Sequence, residues 1–79
     1  MARKVFVEVT AKFDTDGNIT PLALLWEDGT VYEIDRITDV RRAASLKAGG
    51  TGIRYTVKIR GKQSYLFYEG PRWFVEAKE

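Results

Sequence analysis

The 79-residue chain has no histidine and no cysteine. Without histidine it lacks the most common general base near neutral pH, and without cysteine it lacks thiolate nucleophiles and disulfides. The acids that lie close together in sequence, Asp14 with Asp16 and Glu27 with Asp28, fall in turns where water keeps them ionised. The spacing around Gly17 does not match a calcium loop. We therefore expect a protein that is not an enzyme, with no catalytic residues, no metal and no cofactor.

The sequence also lacks any apolar run near the ~20 residues that span a membrane, and it has no recognisable signal peptide. Small secreted domains often depend on disulfides, so the absence of cysteine favours the cytoplasm. The length fits one domain, residues 1–79, of a size that buries about 60% of its unfolded surface. Such a chain is short for a typical ligand pocket of about 300–1,000 Å³, so we expect no small-molecule substrate.

Alternation of apolar and polar residues dominates what is present. Residues 4–13 and 53–60 follow the period of two that is typical of half-buried strands. Residues 19–26 are apolar on both faces, which indicates a strand that is covered on both sides or contacts another chain. Pro21 has no N–H for a ladder hydrogen bond, so this strand should start at an edge or a bulge. Glycine and small polar residues predict turns at residues 14–18, 27–29, 61–63 and 70–72.

The segment after residue 30 breaks the period of two, because Ile34, Ile37 and Val40 are spaced by three. A bulge near Asp35 and Arg36 would restore the phase and bend the strand, as closure of a barrel requires. Residues 43–48 fit either a short helical turn or a strand end that runs into a loop. Together the patterns predict an all-β fold, a small antiparallel SH3-like barrel of five to six strands.

Short segments between Leu25 and Glu76 carry a resemblance: "WEDG", "EIDRI", "DVR", "AASLKAGG", "YLFYE" and "WFVE". In these segments the chain resembles a family of short bacterial proteins that form small β-barrels. The resemblance covers about two-thirds of the chain and does not include the first strand. It implies a barrel fold. The family has no established activity, so no functional residues are implied.

Charge is distributed unevenly along the chain. Residues 36–62 hold eight basic residues and one acid, a balance of +7, whereas the remainder holds five basic residues and ten acids, a balance of −5. If the strands at 36–42 and 53–60 pair, their outward side chains form one positive surface that suits phosphate groups. The candidate binding residues are Arg36, Arg41, Arg42, Arg54, Lys58, Arg60 and Lys62.

Aromatic side chains could add base stacking to such a surface. Trp26 and Trp73 are expected in the core, because each buries a large area. In the strand that follows residue 63, Tyr65 and Phe67 share one face and Leu66 and Tyr68 share the other. We expect Tyr68 to be the exposed ring that stacks on a base.

Two functions remain open at this point. The first is a nucleic-acid-binding barrel whose cations contact phosphates without reading bases. The second is a protein-interaction module or homodimer that uses the apolar strand at residues 21–26. The basic surface also has a purely structural explanation, a solvated face whose charge is neutralised by Glu33, Asp35 and Asp39.

Overall fold

The computed structural model describes residues 2–44 and 51–78. These residues form seven antiparallel strands and include no helix long and apolar enough to cross a membrane. The spatial order is β3-β2-β1-β7-β6-β5-β4, a single sheet that curls into a half-barrel. The strands are β1 (Ala2–Phe13), β2 (Ile19–Leu25), β3 (Val31–Glu33), β4 (Arg36–Ala44), β5 (Thr51–Ile59), β6 (Lys62–Glu69) and β7 (Arg72–Lys78).

The strands at the two ends of this order, β3 and β4, are consecutive in the chain. Only Ile34 and Asp35 separate them. The N–H of Ile34 donates to the carbonyl of Leu22 in β2 at 2.9 Å, and the N–H of Asp35 donates to the carbonyl of Lys58 in β5 at 2.8 Å. Two adjacent residues therefore hold opposite ends of the sheet together, and the sheet must curl.

The irregularity predicted between Ile34 and Val40 is present, divided between two places. The kink at Ile34 and Asp35 separates β3 from β4, and a register shift between Ile37 and Asp39 forms a second break three residues later. Ile34 and Ile37 both pack against the core, whereas Val40 is 51% exposed. The two breaks together replace the single bulge that the spacing of three suggested.

β1 is shared between two neighbours. Its first half pairs with β7 and its second half with β2, with a register shift between Thr10 and Ala11. On the β2 side the shift leaves Leu22 without a partner, directly after Pro21. The prediction that Pro21 lies at an edge or a bulge is confirmed, because the bulge removes the need for its missing N–H.

The core lies on the concave inner face of the sheet. Val57 and Leu66 are completely buried there, and Trp73 is 8% exposed. Trp26 packs against the same cluster, which confirms the core prediction for both tryptophans. The inner-face residues of β1 and β5 are those that the period of two predicted, except that Phe13 is 67% exposed. The opposite face is not uniformly exposed, because Thr56, Phe67 and Phe74 are buried as well.

Two of the predicted turns are confirmed, and a third begins one residue earlier than predicted. The predicted turns at 14–18 and 27–29 are confirmed by backbone hydrogen bonds, such as Trp26 N–H to Thr30 carbonyl at 2.8 Å. The turn predicted at 61–63 is instead the pair Arg60–Gly61, since both residues have positive φ (52° and 78°) and Ile59 faces Lys62. Such a turn matches the twist of its flanking strands.

The structure has seven strands where five to six were predicted. The additional strand arises because the kink divides one predicted strand into β3 and β4.

The helical turn considered for residues 43–48 is not found where it can be checked. Ala43 and Ala44 belong to β4 and pair with Gly52 and Thr51 of β5. Residues 45–48 lie outside the described part of the chain.

Candidate nucleic-acid interface

Four of the predicted cations meet on the convex outer face of β4 and β5. The register places Arg36 directly opposite Lys58 and Arg41 directly opposite Arg54. Residues that face each other across antiparallel strands share one side of the sheet, with Cβ atoms about 4.5–5.5 Å apart. We call this set of four side chains the basic face.

Asp39 supplies the one carboxylate that neutralises a cation of the basic face within the described residues. Its Oδ2 lies 2.7 Å from Nε of Arg41, and this contact raises the pKa of the Arg41 guanidinium. Asp35 instead accepts the backbone N–H of Arg60 at 2.9 Å, and Glu33 lies opposite Ala23 of β2. The predicted neutralisation by three acids is therefore found for Asp39 alone.

Arg54 is held in an unusual environment for a cation. Its side chain is half-buried, and its Nε is buried without a hydrogen-bond partner in the described structure. The guanidinium carbon lies 4.9 Å from the ring centroid of Tyr65, and Tyr65 is 38% exposed. Tyr65 also lies opposite Thr56, between the two pairs of cations on the same face. The exposed aromatic ring beside the basic face is thus Tyr65.

The prediction that Tyr68 is exposed was wrong. Tyr68 faces Ile53 on one side and Trp73 on the other, so it belongs to the inner face. Its ring centroid lies 4.8 Å from that of Trp73, and it packs against the core cluster. The prediction that Tyr65 and Phe67 share one face was correct. If the turn is placed at Arg60–Gly61, the register puts Tyr65 beside Thr56, and the sequence then identifies Tyr65 as the ring next to the basic residues.

Three predicted cations do not belong to the basic face. Arg42 follows Arg41 directly and so points to the other side of the strand, where its partner is Ile53. Lys62 lies opposite Ile59, which is in the inner phase of β5, so Lys62 is on the inner side as well. Arg60 lies in the turn, and its guanidinium carbon is 4.7 Å from the ring centroid of Tyr32. The alternation of period two is enough to place Arg41 and Arg42 on opposite sides of β4. It does not show where the turn at Arg60–Gly61 lies.

A row of aromatic residues extends the outer face beyond the basic face. Phe67 is the cross-strand partner of Arg54, Phe74 follows on β7 and Phe6 on β1. Phe67 and Phe74 stack at 4.8 Å and are almost completely buried, and the Nζ of Lys4 lies 4.7 Å from the Phe74 ring. The sequence pattern did not predict this layer. Phe6 falls in the phase that the alternation of β1 assigned to the solvent side, whereas Phe67 lies with Tyr65 on the face opposite Tyr68, the ring that was expected to be exposed.

A cleft of about 480 Å³ opens at one end of the half-barrel, which corrects the expectation that the chain is too short for one. The space exists because the β6–β7 pairing ends at Leu66 and Val75, although β6 begins at Lys62 and β7 continues to Lys78. The two strands separate there and leave the inner face accessible. The cleft is lined by Leu24, Trp26, Tyr32, Val57, Ile59, Arg60, Lys62, Ser64, Tyr65, Leu66, Val75 and Glu76.

The turn carboxylates have a structural use. Asp14 accepts the backbone N–H groups of Asn18 and Asp16, both at 2.9 Å, and Asp28 accepts that of Thr30. These hydrogen bonds, led by that from Asn18 for Asp14 and that from Thr30 for Asp28, lower the pKa of both carboxyls. In the described ranges no three acidic side chains converge as a metal site.

Comparison with known proteins finds no matching family, no matching characterised protein and no matching solved structure.

Proposed function

We propose that this protein is a non-enzymatic binding module that holds a polyanion, a nucleic acid, on its basic face. The observation that supports this function is the direct opposition of like charges, Arg36 with Lys58 and Arg41 with Arg54. Like charges that face each other across two strands destabilise a sheet. Bound phosphates relieve this repulsion, most directly at Arg36 and Lys58, because Asp39 already neutralises Arg41. The arrangement therefore favours a bound anion.

The immediate surroundings of the basic face support the same function. Tyr65 offers an exposed ring beside Arg54, and stacking of one base on such a ring contributes about 1–3 kcal/mol. Contacts to phosphate position a nucleic acid without reading its sequence. We therefore propose binding with little sequence preference.

The half-barrel is proposed to be of the SH3-like type and to belong with the short bacterial β-barrel proteins that it resembles. We also propose a cytoplasmic location, where nucleic acids are present. The antiparallel sheet that curls into a half-barrel supports the fold type, and the absence of cysteine supports the location.

Fluorescence anisotropy of labelled single- and double-stranded oligonucleotides tests the proposed function. With four phosphate contacts on a single strand, log affinity should fall with log salt with a slope of about −2.8, roughly a 50-fold loss between about 50 and 200 mM. The Arg36→Gln/Lys58→Gln variant, with two contacts, should show a slope of about −1.4.

A matched control removes two charges elsewhere. Lys12 and Arg72 are exposed and lie on β1 and β7, so Lys12→Gln/Arg72→Gln lowers the net charge equally without touching the basic face. It should keep the wild-type slope. Equal losses in both variants would mean that only net charge attracts the oligonucleotide, and flat anisotropy at low salt would reject the proposal.

A second function, protein interaction through β2, is favoured by a separate observation. Leu22, Leu25 and Val31 are 45%, 36% and 60% exposed, and Leu25 and Val31 are direct cross-strand partners. An apolar patch of this kind suits a partner chain or a second copy. Sedimentation of the wild type and of Leu25→Ser over a range of concentrations tests it. A mass that rises with concentration only in the wild type supports a homodimer.

A further inference from the structure

The cleft between β6 and β7 has the composition of a ligand site, and none of the four cations of the basic face lines it, although Tyr65 borders both. Its floor consists of buried apolar side chains, among them Leu24, Val57 and Leu66. Two half-buried aromatic residues, Trp26 and Tyr32, also line it. The volume of about 480 Å³ lies within the range of sites that hold small organic molecules.

Two cations lie at the opening of this apolar space. Arg60 is fixed in place, since its backbone N–H is bound to Asp35 at 2.9 Å and its guanidinium lies against the Tyr32 ring. Lys62 follows on the next strand. Within the described residues neither side chain has a carboxylate oxygen within 4 Å. Glu76 also lines the cleft and is the one acid there, so the lining charge is +1.

We propose that the cleft binds a small organic anion with an apolar body. The aromatic or aliphatic body lies against Trp26, Tyr32 and the buried floor, and the anionic group contacts Arg60 and Lys62. Apolar walls with a few fixed polar groups are the usual composition of a small-molecule site. The charge at the opening selects an anion over a neutral or cationic molecule of the same shape.

Two probes of nearly the same shape separate the apolar contribution from the charge contribution. The first is 8-anilinonaphthalene-1-sulfonate, which carries an anionic group on an aromatic body, and the second is N-phenyl-1-naphthylamine, which lacks the sulfonate. Titration followed by fluorescence and by calorimetry should show one site for the sulfonate. Quenching of tryptophan fluorescence should accompany binding, because Trp26 lines the cleft.

The decisive variant removes the positive charges of Arg60 and Lys62, because these substitutions leave the core unchanged. Arg60→Asn keeps the positive φ of the turn, and Lys62→Gln is at an exposed position. The double variant removes both cations that contact the anionic group and should bind the sulfonate at least roughly tenfold more weakly, since one charge-assisted contact alone accounts for about that factor. It should bind the neutral probe as the wild type does. Lys12→Gln/Arg72→Gln should bind both probes as the wild type does.

Filling the cleft provides a second, independent measurement. Ser64→Leu adds volume at a half-buried position inside the cleft and should abolish binding of both probes. Its urea midpoint reports whether the fold survives, and if it does not, the charge variant decides alone. Several weak sites instead of one, or an equal loss of both probes in Arg60→Asn/Lys62→Gln, would overturn the proposal. Because oligonucleotide binding is assayed separately, either site can fail without the other.

Discussion

The hydroxyl of Tyr55 in β5 donates a 2.7 Å hydrogen bond to the carbonyl oxygen of Ile19 at the start of β2. Three strands, β1, β7 and β6, lie between these two in the sheet. The hydrogen bond therefore crosses the inside of the half-barrel. With the backbone hydrogen bonds of Ile34 and Asp35, it is a second connection between the two sides of the curled sheet.

Replacement of Tyr55 by phenylalanine should destabilise the fold. It leaves the Ile19 carbonyl without this partner in a partly buried location, a loss of about 1–3 kcal/mol in the free energy of unfolding. Urea denaturation followed by tryptophan fluorescence measures the change. Tyr65→Phe is the matched control, because the Tyr65 hydroxyl is on the surface, and it should change stability by less than about 0.5 kcal/mol. Equal effects of the two variants would contradict the bridging role of Tyr55.

Tyr55 should also make stability depend on pH in alkaline solution. Burial, with a smaller contribution from Tyr68, raises the pKa of its phenol above the ordinary value near 10. The unfolded chain then releases this proton first, so the contribution is complete below about pH 10 and is lost as pH rises through the folded pKa. The stability difference between wild type and Tyr55→Phe should be nearly constant below about pH 9 and should shrink as the pH rises above about 10. A difference that grows as the pH rises would show that the sign is wrong.

The basic face should lower the stability of the protein while it provides binding. Arg36→Glu places an acid opposite Lys58 and should raise the free energy of unfolding by about 0.2–1 kcal/mol. The same substitution should weaken oligonucleotide binding, because it removes one phosphate contact and adds a negative charge. Lys12→Glu, which lies opposite Thr20, should leave stability nearly unchanged. Urea denaturation and anisotropy on the same samples provide both readouts.

Gly52 in β5 should not tolerate a side chain. A Cβ at this position would overlap the carbonyl oxygen of Tyr68 in β6, and backbone cannot move aside as a flexible side chain can. Gly52→Ala should therefore cost about 1–3 kcal/mol of stability. Gly17→Asn is a suitable control, because a Cβ there meets nothing within 4 Å and asparagine accepts its positive φ. A thermal midpoint for Gly52→Ala equal to that of the control would count against this packing.

The sequence predicts the faces of the strands better than their ends. Alternation identifies the inner positions of β1 and β5, because one face must be buried and a shift of one residue would reverse every side chain. The sequence pattern extends β5 to Arg60, one residue beyond its observed end at Ile59. The pattern does so because arginine has no intrinsic preference for the positive φ that the Arg60–Gly61 turn requires. That shift moved Arg60 off the basic face.

The candidate sites depend on relations that lie beyond local pattern. The opposition of Arg36 with Lys58 requires the register of β4, which the break between Ile37 and Asp39 alters. The cleft requires β6 and β7 to separate after Leu66 and Val75, and nothing in the local sequence of either strand marks this point. Tertiary closure determines both features.

The strand order has a consequence for the speed of folding. Among the described strands, five of the six pairings join consecutive strands, and hairpins of this kind form in about 1–10 μs. The sixth, β1 with β7, brings together positions such as Val5 and Val75 from distant parts of the chain. Because ordering so long an intervening segment costs entropy before any contact forms, this pairing should limit the folding rate. Substitutions that weaken it should slow refolding, whereas those in the β4–β5 hairpin should mainly accelerate unfolding.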